Sequence, residues 1–390
     1  MSQTLIFRFL NFTTPFCVWS PYLMFFYSIF KSKFKTDMIK KNIPLICLIC
    51  WMFVATFWSI HLSVHESLTA SMKYILKFCL FIMLLSLYEK QTDNRLSNLW
   101  TFYLIAFLSI VFLIKFFGFL VMSEGVNQFF QRKLQKEILT SVVLSNLIAL
   151  IALENIIEKP KWYVLRSLIL IMYLLFMSIQ RMPIVILFIG LAFMYLEHRK
   201  KIPFYYSFLF LLVPLVFMGS PLLAKFQKGF HELQTIEQMN TSTTSTASMQ
   251  IRYKLFERSM RLIYKKPIIG HGPGSHQKLI PVFFNQGDTK KLYYNGIYYL
   301  KHTHMLYTCI TVQYGLIGLF LFMWWIMSLF NMAKSLESNS RCRVLTAIIA
   351  ILVIGIFDEP IYDTQFGFLM MSWLAYVIVT GRPKVLPFSK

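Results

Sequence analysis

Charge is scarce in this chain. Only 14% of its 390 residues are Asp, Glu, Lys or Arg, where a soluble domain carries about 25%. Too few charges remain to cover a globule of this size, which excludes a water-soluble enzyme. Acid is scarcer still, with 17 Asp and Glu against 39 Lys and Arg, a formal charge of +22. In a membrane chain this surplus first serves orientation, because basic loops hold the cytoplasmic side, so no nucleic-acid partner follows from it. Cysteine is sparse as well. Cys17, Cys47, Cys50, Cys79, Cys309 and Cys342 lie in or beside apolar runs, and Cys47 and Cys50 read as packing. No disulfide framework or thiolate metal site is implied. A small-residue cleavage pattern is also missing after the apolar stretch broken by Pro15 and Pro21, so the N-terminus reads as retained membrane structure.

What is present is hydrophobicity in long runs: 57% of residues are hydrophobic and 17% aromatic. The runs have the roughly 20 residues that a bilayer-spanning helix needs and do not alternate as barrel strands would. Expected spans are about 5–30, 42–60, 68–88, 97–122, 140–157, 162–180, 182–197, 203–221, 303–330, 343–358 and 364–381. The first is long and proline-broken, and forms either one helix or a hairpin of two. The expected fold is an all-α, polytopic membrane bundle of 11–12 transmembrane helices. Its divisions are N-terminal transmembrane helices at 1–221, a large periplasmic loop at 222–302 and C-terminal transmembrane helices at 303–390.

Basic connections at 31–41, 89–96, 158–166, 198–201, 331–343 and 382–390 read as cytoplasmic. The alternate connections then face out, including the acidic FDEPIYDTQ at 357–365; Arg132, Lys133 and Lys136 at 123–139 run against this. Parity places 222–302 outside. That segment holds twelve Lys and Arg against four acids, a surplus of eight. Long loops escape the orientation rule, so the surplus needs another explanation. Residues 239–250 (MNTSTTSTASMQ) form a polar tract expected to be mobile. Gln250 to Lys266 then shows a basic amphipathic pattern, with Ile251, Leu255, Leu262 and Ile263 on one side, as in a helix at the membrane surface.

Three features could carry chemistry. Arg181, in SIQRMP between two spans, is either a snorkelling interfacial residue or a guanidinium at a pocket mouth, where its planar donors suit phosphate. Arg252, Arg258 and Arg261 precede KKPIIGHGPGSH at 265–276 and would meet either anionic headgroups or a substrate. Gly270, Gly272 and Gly274 do not make a nucleotide loop, which needs a preceding strand and a Gly-Lys-Ser end; they read as a tight turn bringing loop backbone close to something. His302 and His304 begin the span at 303–330, as interfacial caps or as functional groups. With His271 and His276 they concentrate imidazole in the outer region, but no carboxylate completes a compact ligand spacing, so no metal site is expected. On one continuous helix, His304 would be in register with Gly315 and Gly318, which could let a neighbouring helix pack closely.

The topology, the run from Arg252-x-x-Leu255-Phe256-Glu257 to Lys266-Pro-Ile-Ile-Gly-His-Gly-Pro-Gly274, and His304-x10-Gly315-x2-Gly318 together resemble the O-antigen ligase and polymerase superfamily. The specific motifs lie within 181–318. The resemblance implies an inner-membrane glycosyltransferase with no cofactor and no metal requirement. Its donor is a saccharide on undecaprenyl diphosphate, and its acceptor is the lipid A core or another saccharide. On that pattern His304 is the family histidine and Arg252 and Arg181 are the family arginines. Asp358 or Glu359 is the acid near the outer end of a late span. Met305 departs from the pattern, standing where the family usually has an amide or small polar residue. Membrane lipids are the remaining expected partner. The alternatives are a polysaccharide polymerase, a ligase with a protein acceptor, or, from another class, a transporter of lipid-linked saccharide. Transporters place ionisable groups at the midplane, whereas acids here are nearly absent from midspan positions.

Overall fold

The computed structural model describes residues 42–59, 62–88, 186–192, 248–276, 305–357 and 364–379, together with Lys40, Ser167, Leu170, Ile171, Tyr195, Gln227, Leu279, Glu359, Ile361 and Gly381. Its elements are α1 (Ile43–Val54) with a 3-10 turn (Ala55–Trp58), α2 (Val64–Tyr88), α3 (Ser248–Lys265), α4 (Leu306–Lys334), α5 (Ser338–Phe357) and α6 (Thr364–Val379). Among the described residues no strand occurs. The chain is an all-α membrane protein. Val64–Leu85, Leu306–Lys334 and Ser338–Ile356 are long and apolar enough to cross a bilayer, and Ile43–Trp58 is a shorter apolar helix.

These elements fall on the runs expected at 42–60, 68–88, 303–330, 343–358 and 364–381, and residues 186–192 are helical inside the run at 182–197. The expected spans at 5–30, 97–122, 140–157 and 203–221 lie outside the described residues, as does nearly all of 162–180. The amphipathic helix expected from Gln250 is present as α3, and it begins at Ser248, inside the polar tract expected to be mobile.

Local chemistry sets the ends. Pro44 opens α1, where its missing N–H costs nothing. Ser63 and Glu66 cap α2 reciprocally. The Glu66 carboxylate accepts from the Ser63 backbone N–H at 3.1 Å, and the Ser63 hydroxyl accepts from the Glu66 N–H at 3.2 Å.

The core joins α2, α4, α5 and α6 around Trp325, whose ring meets Phe78 at 5.3 Å, Phe322 at 5.7 Å and Phe81 at 5.9 Å. Hydrophobic drive between helices is weak in lipid, so cross-helix hydrogen bonds and close packing carry more of the specificity. The Tyr307 hydroxyl donates to the Leu352 carbonyl at 2.7 Å, tying α4 to α5, and Ser71 donates to the Met52 carbonyl at 3.0 Å, tying α2 to α1. Lys77 is buried midway along α2, its ammonium donating to the Ile361 carbonyl at 2.6 Å above the Phe368 ring.

Candidate functional site at a broken helix

Helix α4 is not continuous. Gly315 has φ 68° and ψ −172°, a conformation essentially restricted to glycine, and the helical ladder opens there. Backbone groups freed inside a membrane protein must find protein partners, because lipid offers none. Residues 267–274 supply them. The His271 N–H donates to the Val312 carbonyl at 2.8 Å and the Gly272 N–H to the Gln313 carbonyl at 2.9 Å. In the other direction, the Leu316 N–H donates to Pro267 at 2.8 Å and the Ile317 N–H to Ile268 at 3.3 Å. The Trp51 indole donates to the Tyr314 carbonyl at 2.9 Å, and the Trp58 indole to the Ile269 carbonyl at 3.3 Å.

The glycine turn therefore does bring loop backbone close to something: the opened helix. Gly270, Gly272 and Gly274 all have positive φ. A Cβ on Gly270 would lie 2.5 Å from the Gly315 nitrogen, and one on Gly315 would fall on the Ile268 carbonyl oxygen. Gly272 abuts Ser59 in the same way, with a Cβ meeting the Ser59 side chain at 2.6 Å. The expectation that Gly315 admits a neighbouring helix is corrected, because what it admits is the loop carrying the glycine turn. Gly318 does approach a helix, its Cβ position lying 3.5 Å from the Trp51 indole nitrogen of α1.

The loop is also anchored to α3. The His271 Nε2 lies 2.9 Å from the Leu262 carbonyl, an acceptor, so this nitrogen carries the proton. Leu255 and Leu262 bury one face of α3, while Tyr253, Phe256 and Tyr264 are exposed. Arg252 and Arg258 are both half-buried but stand six residues apart, about 120° around the helix, so they do not share a face. Arg258 shares its side with exposed Arg261, which pairs with Glu257 at 2.6 Å.

Beneath the turn lies a buried polar cluster. His276, Cys309 and Glu359 bring one ligand-type atom each to within 4.8 Å of one another, and all three side chains are buried. They come from the end of the glycine turn, the first turn of α4 and the segment after α5. Gln313 holds the cluster in place. Its Oε1 accepts from the Gly274 N–H at 2.7 Å, which fixes the amide orientation, so its Nε2 donates to the Cys309 sulfur at 2.9 Å. The Tyr74 hydroxyl lies 3.4 Å from the same sulfur.

Of the residues singled out by sequence, Arg252, Arg258, Glu359 and the five glycines are described. Arg181, His302, His304 and Asp358 lie outside the described residues. One argument for His304 fails on geometry. Helix α4 starts at Leu306 with Met305 as an extended N-cap and opens at Gly315, so no single helical register runs from 304 to 318. Sequence reasoning missed Gln313, Tyr74 and Lys77, and assigned Cys309 no role beyond its place in an apolar run. Lys77, one of two lysines with Lys73 within the apolar run at 68–88, carried a usable signal.

Residues 167–323 match the family model described as O-antigen ligase. Over this stretch the chain is similar to the O-antigen ligase superfamily. The matched segment covers less than half of the chain and contains Arg181, Arg252, Arg258, the glycine turn, His304 and the broken part of α4, whereas Asp358 and Glu359 fall beyond it. A comparison with curated proteins gives no match. The superfamily supports a glycosyltransferase-like activity of the ligase or polymerase type, with lipid-linked saccharide and acceptor substrates in general terms.

Proposed function

We propose that the protein transfers O-antigen polysaccharide from undecaprenyl diphosphate to the lipid A core, at the periplasmic face of the bacterial inner membrane. The observation that carries this reading is the O-antigen ligase match over 167–323, which spans α3, the glycine turn and the opening of α4. The surplus of cationic side chains in 222–302 supports it, because a lipid diphosphate calls for cation contacts.

In the proposed reaction an acceptor hydroxyl attacks the anomeric carbon of the donor. The new bond joins acceptor oxygen to that carbon, the bond from that carbon to the diphosphate oxygen breaks, and undecaprenyl diphosphate departs. Arg181 and Arg252 hold the charge that develops on the leaving group, a role that arginine fills strongly at a low-dielectric surface. His304 takes the proton of the acceptor hydroxyl, as suits an imidazole with an ordinary pKa near 6.5. Asp358 or Glu359 orients that imidazole.

Purified protein in nanodiscs, mixed with lipid-linked saccharide and lipid A core, tests the reaction directly. Capped core is expected. Donor binding without product in any acceptor mixture would refute group transfer and favour transport. Elongated lipid-linked saccharide would identify a polymerase, and glycosylated protein a protein-directed ligase. In cells, loss of all capping with intact core on deletion is expected, whereas a single attached repeat would point to a polymerase.

A further inference from the structure

We propose that His276, Cys309 and Glu359 form a binding site for one divalent ion of the zinc class. The proposal rests on the geometry of the cluster and not on the reaction proposed above, in which Asp358 then fills the orienting role while Glu359 holds the ion. It departs from the expectation of no metal, which rested on ligand spacings close in sequence and on the family resemblance, and it makes no metal requirement for the transfer reaction. These residues are 33 and 50 positions apart and meet only because the glycine turn is pinned into the opening of α4.

The donor set itself selects the ion. Imidazole nitrogen, thiolate sulfur and carboxylate oxygen are the ligands of zinc-class sites, at about 2.0–2.3 Å from the metal. A tetrahedron with those bonds separates its ligand atoms by about 3.3–3.7 Å, and here all three lie within 4.8 Å of one another. Calcium and magnesium are disfavoured because the cluster offers one carboxylate and no cage of oxygens.

Charge balance points the same way. The cluster is buried, with His276 at 0%, Cys309 at 0% and Glu359 at 3% exposure. A dication with one thiolate, one carboxylate and a neutral imidazole sums to zero, so the occupied site places no net charge in a low-dielectric interior. The sulfur is already an acceptor. Gln313 Nε2 can only donate to it, at 2.9 Å, and its orientation is locked by the Gly274 N–H. Such outer contacts orient and stabilise a ligating thiolate.

The test uses the full-length protein, purified from membranes without chelator, with zinc or cobalt(II) added and then removed by buffer exchange. Metal is counted per folded chain by mass spectrometry, and cobalt occupancy is read from the sulfur-to-metal charge-transfer absorption. One ion per chain is expected. Cys309→Ser should abolish the charge-transfer band, His276→Ala and Glu359→Gln should each lower affinity at least tenfold, and Cys47→Ser should change nothing. Gln313→Leu, which leaves all three ligands, should weaken binding by about 10–100-fold. Folded wild-type protein that takes up neither ion would overturn the proposal and leave the cluster as a proton-sharing network. Retention of the ion by Cys309→Ser, His276→Ala and Glu359→Gln alike would overturn it by placing the ion elsewhere.

Discussion

Replacing Gly315 with alanine attacks the junction on which loop and helix both depend. At φ 68° and ψ −172° a side chain costs about 1–3 kcal/mol in backbone strain alone. The added Cβ also lands on the Ile268 carbonyl oxygen and 2.6 Å from the Ile269 nitrogen, so the loop must retreat. Retreat breaks the bonds from Leu316 to Pro267 and from Ile317 to Ile268, each worth about 0.5–1.5 kcal/mol net. Reduced freedom of the unfolded chain returns about 0.4–1 kcal/mol, leaving a loss of about 1–6 kcal/mol. Gly355→Ala is the control. It sits within α5, where the nearest atom is the Leu306 Cδ2 at 3.2 Å, and should change stability by less than about 1 kcal/mol. Unfolding free energies in mixed micelles, followed by tryptophan fluorescence, provide the comparison. Equal stabilities for Gly315→Ala and Gly355→Ala would refute the reasoning. Gly270→Ala loads the same contact from the other side, its Cβ meeting the Gln313 carbonyl at 2.6 Å, so the double variant should cost less than the sum of the two single ones.

Lys77→Met keeps the stem and removes the ammonium that holds the Ile361 carbonyl, so the same unfolding measurement should show a loss of about 1–3 kcal/mol; an unchanged or raised stability would mean that the buried cation contributes nothing net. Arg252→Ala should lower donor use by about 10–100-fold at constant fold, with Arg252→Lys recovering little if the contact is bidentate; full activity of the lysine variant in the reconstituted transfer assay would reduce the residue to general positive charge. His304→Ala should lower turnover per folded molecule by about 10²–10⁴-fold while donor binding persists; near-normal turnover beside an inactive His302→Ala would reassign the base.

Much of this architecture is legible in the sequence because lipid imposes a simple rule. A helix must be apolar over about 20 residues, and the runs containing α2, α4 and α5 announce themselves by that alone. Amphipathic α3 is legible for a related reason: Leu255 and Leu262 recur on one face and bury there. Within an apolar run, however, a glycine that lets a helix approach and one that opens the backbone look identical. The loop that distinguishes them at Gly315 is more than forty residues away in sequence. The same separation hides the polar cluster. Cys309 lies in an apolar run, and nothing in the sequence marks it until Gln313, oriented by Gly274, is seen to aim its amide at the sulfur.

The opened helix and the glycine turn form one cooperative unit. Each presents backbone donors and acceptors that would cost several kcal/mol if buried unpaired, so neither conformation is stable without the other. Four backbone bonds join them, and the indoles of Trp51 and Trp58 add one to each side, at the Tyr314 and Ile269 carbonyls. One end of the turn continues from α3, which carries Arg252 and Arg258, and the other ends at His276 in the buried cluster. The separation between the arginine-bearing helix and the cluster is thus set by main-chain hydrogen bonds and not by flexible side chains. A group that must receive a charged lipid carrier at one end and hold polar groups in register at the other gains from this arrangement, because little reorganisation is needed when substrate arrives.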